Sequence, residues 1–85
     1  MRYWVLKTGI QNGEYEYNSL SLQQTKGKEE FDAEAYVKDF YADGGEETYG
    51  KGTYYFNGGE VACWVEGLKE ITKKEYDVLY KVLHI

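Results

Sequence analysis

Residues 2–24 read RYWVLKTGIQNGEYEYNSLSLQQ, and the fold turns on them. Tyr3 to Leu6 is a continuous apolar run. Its shortness suits a strand covered on both faces, which places strand over residues 2–8. Asn12-Gly13 follows, and both residue types tolerate positive φ, the strongest short-range signal of a hairpin. Beyond the turn, Tyr15 and Tyr17 alternate, and so do Leu20 and Leu22, but the parity changes between the two pairs. One face of a strand cannot carry both pairs without an extra residue, so a bulge or twist is expected near Asn18-Ser19.

The chain then turns polar from Thr25 to Lys28. Asp32 is a good helix N-cap, because its carboxylate accepts a backbone N–H two or three residues on. Phe31 and Tyr36 flank it at the spacing of a hydrophobic staple. Ala33, Tyr36, Val37, Phe40 and Tyr41 then recur at helical spacing, so one stripe faces a core. Glu34 and Lys38 sit four apart as a favourable pair, and Gly44 or Gly45 supplies the left-handed residue that ends the helix. Residues 50–56 and 60–66 read as a second pair of strands around Asn57-Gly58-Gly59. In the latter strand Val61, Cys63 and Val65 share one face, with Ala62 and Trp64 on the other. Gly67 marks a bend. Thr72 and Glu75 form a capping box that opens a last helix, with Tyr76, Leu79, Tyr80 and Leu83 on one stripe.

The order is ββαββα over a single domain, residues 1–85. Short turns make the strands of each hairpin antiparallel. The expected architecture is α+β: a four-stranded antiparallel sheet with two helices packed on one face and the other face open.

Composition narrows function more than it names it. A chain of 85 residues buries only about 60–65% of its unfolded surface, so its core is small. The single cysteine, Cys63, excludes an internal disulfide and points to a reducing cytoplasm. No apolar run reaches the roughly 20 residues of a membrane span, and the opening MRYWVLKTG is too short for a signal peptide. Proline is absent, and ten tyrosines supply most of the aromatic content. Tyrosine carries a hydroxyl that needs a partner or water, so some of the ten line a surface.

Charge is distributed unevenly. Residues 29–47 hold eight acidic side chains and one lysine, a net −7, whereas the rest of the chain holds nine basic and seven acidic residues, a net +2. A one-signed patch attracts a basic protein surface and opposes nucleic-acid phosphates. The plainer reading is that the acids keep a small domain soluble. The candidate partner-binding residues are Glu30, Glu34, Asp39, Tyr41, Asp43, Glu46, Glu47 and Tyr49. Together they describe an acidic, non-catalytic inhibitor or adaptor that engages a basic protein surface, of the kind that normally holds nucleic acid. Compact acidic proteins made by phages and mobile elements are an analogy of type. Self-association through an open sheet face, or through an edge formed by the third or fourth strand, is the second expectation. Single-strand nucleic-acid binding on Trp4, Tyr15, Tyr17, Tyr55 and Trp64 is the third, although the scattered lysines offer no positive groove.

Catalytic and metal chemistry find little support. The stretch DFYADGGEETYG, residues 39–50, places glycine at the sixth position of a calcium loop counted from Asp39. It lacks the third ligand and the twelfth-position glutamate. Cys63 and His84 are too few ligands for zinc, and no third residue orients them as a nucleophile pair. No cofactor is expected.

Overall fold

The computed structural model describes residues 1–39 and 52–84. The elements are β1 (Arg2–Asn12), β2 (Tyr15–Thr25), α1 (Ala33–Lys38), β3 (Thr53–Phe56), β4 (Val61–Ile71) and α2 (Lys73–Leu83), with a 3-10 turn at Asn57–Gly59 before β4. The sheet order is β2-β1-β4-β3, with every neighbouring pair antiparallel. The fold class is α+β, as expected.

β1 is longer than the apolar run suggests. It continues from Tyr3–Leu6 through Gly9 to Asn12, flanked by a partner strand on each side. Its alternate residues define two faces of the sheet. Trp4, Leu6, Thr8 and Ile10 lie on the first face, and all four are buried. Tyr3, Val5, Lys7 and Gly9 lie on the second. Gly9 stands opposite Trp64, and a Cβ there would fall inside the Trp64 indole. The strand therefore passes through a position where only hydrogen fits beneath the ring.

The first hairpin closes through Gly13, which takes φ +62°, and Glu14. Asn12 is thus the last residue of β1 rather than a residue of the turn. β2 then pairs with β1 without a break from Tyr15 to Thr25, and the expected bulge at Asn18-Ser19 is absent. The parity change is resolved by side: Tyr15 and Tyr17 lie on the first face, Leu20 and Leu22 on the second. The irregularity sits in β4 instead. Lys7 pairs with Gly67 and Thr8 with Val65, so Glu66 is an extra residue that reverses the facing of β4. Val61, Cys63 and Val65 face the first side as expected. Past the bulge Leu68 and Glu70 take over that side, while Lys69 and Ile71 face the second. The bend anticipated at Gly67 is this bulge, and the strand continues beyond it to Ile71 rather than ending at Glu66.

The bulge and the two-sided burial of β1 also separate the helices, which do not share one face. α1 packs on the first face, where Val37 joins Ile10, Tyr54, Phe56, Val61 and Cys63 in one cluster. Six residues cannot hold a helix in isolation, so α1 depends on this contact, through Val37 at 0% and Ala33 at 7% exposure. Asp32 caps it as expected, accepting from Ala35 N at 3.0 Å. The Phe31 and Tyr36 rings meet at 5.7 Å. α2 lies over the second face. Its Tyr76 ring sits 5.0 Å from Tyr3, and its hydroxyl accepts from Gln24 Nε2 at 2.9 Å. The Thr72–Glu75 capping box is present in both directions. Tyr76, Tyr80 and His84 then form a ladder of rings at four-residue spacing. No α2 residue is fully buried, so its apolar stripe is only partly covered.

The close approach at Gly9 has a measurable cost. Gly9→Ala is expected to lower unfolding stability by about 1–3 kcal/mol through overpacking against Trp64. Urea denaturation followed by tryptophan fluorescence checks this, and an unchanged midpoint would remove Trp64 from this role.

Candidate interaction surface

The start of the acidic stretch, at residues 28 and 29, is fixed to the first face by a short chain of polar contacts. Trp4 Nε1 donates to Thr25 Oγ1 at 2.9 Å, and Thr25 Oγ1 donates to the Glu29 carbonyl at 2.6 Å. Arg2 Nη1 donates to the Lys28 carbonyl at 2.9 Å. The same guanidinium forks onto Glu70 at 2.8 and 2.9 Å and lies 4.6 Å above the Trp4 ring. Arginine can do all three things because its plane stacks while its edge donates. The fork holds the Glu70 carboxyl below its ordinary value. Glu70 hydrogen bonding in turn raises Arg2 further, with a smaller contribution from the charge of Glu30.

This anchoring takes up the backbone of residues 28 and 29 and leaves the acids outward. Glu29, Glu30, Asp32 and Asp39 border an open groove of about 820 Å³, which Phe31, Tyr36 and Lys26 also line. A second hollow of about 460 Å³ adjoins it, bordered by Glu30, Asp32 and Glu34 above Val65 and Leu68. Glu30, Phe31 and Asp32 belong to both. The arrangement is an acidic ridge that shares its two hollows with Phe31, Tyr36, Val65 and Leu68.

Of the residues singled out in the sequence, Glu30 stands on this ridge. Asp39 stands at the C-cap of α1, its backbone N–H donating to Ala35 and Val37 carbonyls. Glu34 is exposed and borders the second hollow, and it also makes a tie within the domain. Its carboxylate accepts from the Tyr54 hydroxyl at 2.7 Å, which ties α1 to β3. Tyr41, Asp43, Glu46, Glu47 and Tyr49 lie outside the described residues, as do Phe40, Gly44 and Gly45. Sequence reasoning missed Glu29, Phe31 and Tyr36 as surface elements. Phe31 is legible only as a staple, and Tyr36 as a staple and a member of the core-facing stripe, whereas Tyr36 is 37% exposed and lines the groove with Phe31.

The aromatics considered for base stacking are divided by the sheet. Trp4 is buried on the first face beneath Arg2, and Tyr15 and Tyr17 lie on that face near the hairpin. Tyr55 and Trp64 lie on the second. Trp64 Nε1 donates to Glu66 Oε1 at 3.0 Å. Cys63 and His84 are likewise separated. The thiol is buried beneath α1 on the first face, whereas His84 stacks on Tyr80 at the end of α2, with ring centres 4.2 Å apart. Among the described residues, no helix is long and apolar enough to cross a membrane.

Two outcomes follow from these surroundings. Burial pushes the Cys63 thiol up from its ordinary value, so a thiol reagent at neutral pH should modify the native protein far more slowly than the urea-unfolded chain. Equal rates would show that the first-face cluster opens readily. The Glu70 carboxyl, lowered by Arg2, contributes stability above the ordinary carboxylate value of 4.5, and that contribution is lost as pH falls through its lower folded value. Glu70→Gln should therefore flatten the loss of stability below that pH, read as thermal midpoint against pH. An unchanged profile would show that the fork carries no acid sensitivity.

No family model, no curated protein and no solved structure matches the chain.

Proposed function

We propose that this protein is a non-catalytic binding module of a reducing cytoplasm. It engages a basic protein surface through the acidic ridge of the first face, as an inhibitor or adaptor. The observation that carries the reading is the anchoring of residues 28 and 29 by Arg2 and Thr25. It directs Glu29, Glu30 and Asp32 outward beside the Phe31 and Tyr36 rings. A ridge that served solubility alone would need no such fixed backbone and no apolar ground beside it.

The chemistry sets the kind of partner. Carboxylates at a rim steer encounter and select sign, while the packed aromatic and aliphatic ground supplies affinity. The complementary surface carries lysine or arginine around an apolar centre. Such a surface is common where a protein holds nucleic-acid backbone, and a row of carboxylates competes there for the same cations. Asp43, Glu46 and Glu47 would extend the row in sequence from Asp39.

The test compares the native domain with a Glu29→Lys, Glu30→Lys, Asp39→Lys variant, sparing the cap Asp32. A basic protein retained by the native domain in a pull-down is then purified and titrated against both. Affinity for the variant should fall by about tenfold or more at low salt, and the native affinity should decline steeply as salt rises. Equal binding by the two at moderate salt would leave the ridge without a role in recognition.

A further inference from the structure

The free edge of the sheet supports an inference that does not depend on the acidic ridge. β2 is terminal in the order β2-β1-β4-β3, so the backbone groups that do not point at β1 line an edge with no strand beyond it among the described residues. Such edges are commonly blunted by brevity, proline, a bulge or lysine. β2 has none of these. It runs for 11 residues in unbroken register with β1, and Glu16 is its single charged residue. β3, the last strand at the other end of that order among the described residues, has only four residues.

We propose that β2 is a self-complementary edge. Two copies of this chain pair β2 to β2 antiparallel, about a two-fold axis through Ser21. Residues directly opposite in an antiparallel pair point to the same face, so the axis must pass through a residue rather than between two. Through Ser21, Leu20 meets Leu22 of the partner subunit and Tyr17 meets Thr25 of the partner subunit. Asn18 meets Gln24 of the partner subunit, and Glu16 meets Lys26 of the partner subunit, the residue just beyond the strand end. Symmetry makes each of these pairs twice.

Neighbouring registers lose the match. An axis through Leu20 sets Leu22 against an asparagine and Glu16 against a glutamine. An axis through Leu22 sets Leu20 against a glutamine. An axis through Ser19 sets Leu22 against Glu16. Only the Ser21 axis joins the leucines and the opposite charges together. It also covers side chains that the monomer leaves open, Leu20 at 53% and Tyr17 at 49% exposure. Because the contact is isologous and β3 is short, association closes at two copies rather than growing into a fibre.

The experiment uses the full chain in sedimentation velocity over a concentration series. The native chain is expected to show a monomer–dimer equilibrium. Glu16→Lys places lysine against Lys26 of the partner subunit at both ends of the pair, and should raise the dissociation constant about tenfold. Adding Lys26→Glu to that same chain should restore it. Within one chain residues 16 and 26 are about 33 Å apart along the strand, so rescue can only act between copies. Ser21→Cys should yield a covalent dimer on mild oxidation, whereas Asn18→Cys should not. Buried Cys63 does not compete. A monomer at every concentration overturns the proposal. So does a dimer indifferent to Glu16→Lys, and so does a double variant that fails to recover.

Discussion

The structure depends on β1 having a neighbour along its full length on both sides. β2 and β4 both pair with it from one end to the other, and both of its faces carry load. That demand explains features that look unrelated along the chain. Gly9 must be bare, because Trp64 of β4 lies across it. β4 must gain a residue at Glu66, because its two halves present different faces to the same straight partner. The helices must separate, because the first face is filled by Val37 above Ile10 and Cys63, while the second offers Tyr3 to Tyr76. A small domain without disulfides or proline can tolerate little slack. Here most of the order is supplied by one central strand rather than by a thick core.

The parts of this fold that could be read from sequence are those whose signals act within a few residues. The Asp32 cap, the Phe31–Tyr36 staple and the Thr72–Glu75 box are each closed by neighbours in the chain, and each is found as read. The facing of Val61, Cys63 and Val65 follows from strand pleat alone. What misled were features decided across strands. The tyrosine and leucine pairs of β2 suggest a bulge only if both are assumed to seek one face. Once both faces are in use, a straight strand satisfies them. The bulge belongs to β4, where Glu66-Gly67 signals a bend but not its register. The two-helices-on-one-face arrangement fails for the same reason: helical periodicity shows that a stripe is buried, not which side of the sheet buries it. Edge assignment follows suit, since β4 is interior, while β3 ends the strand order among the described residues.

The candidate surface shows a similar division. Its charge was plain in the sequence, because a net −7 over residues 29–47 stands against a net +2 elsewhere. Its shape was not. That Arg2 reaches both Lys28 and Glu70, and that Trp4 donates to Thr25, joins residues distant in sequence. All four acids from Glu29 to Glu34 are exposed, but they are not equally free. Glu34 is spent on Tyr54, where it fastens α1 to β3. Charge counting treats Glu30 and Glu34 alike, and both are exposed, but hydrogen bonding makes Glu34 a strut as well.

The two proposed surfaces are also compatible in space. A two-fold axis relating antiparallel edge strands stands perpendicular to the sheet, so it keeps the first faces of both copies on the same side. Both acidic ridges would then point one way, with Tyr17 of each copy near the seam. A partner with two basic patches, or a repeating one, would meet both ridges at once. The second engagement would be intramolecular, which multiplies avidity without a new contact. The second face would gain continuity instead, as Leu20 and Leu22 of each copy extend the apolar row that begins at Val5. One edge strand would thereby couple the two sides of the sheet. On the first face it would set the spacing between ridges, and on the second it would cover leucines that the monomer leaves in water.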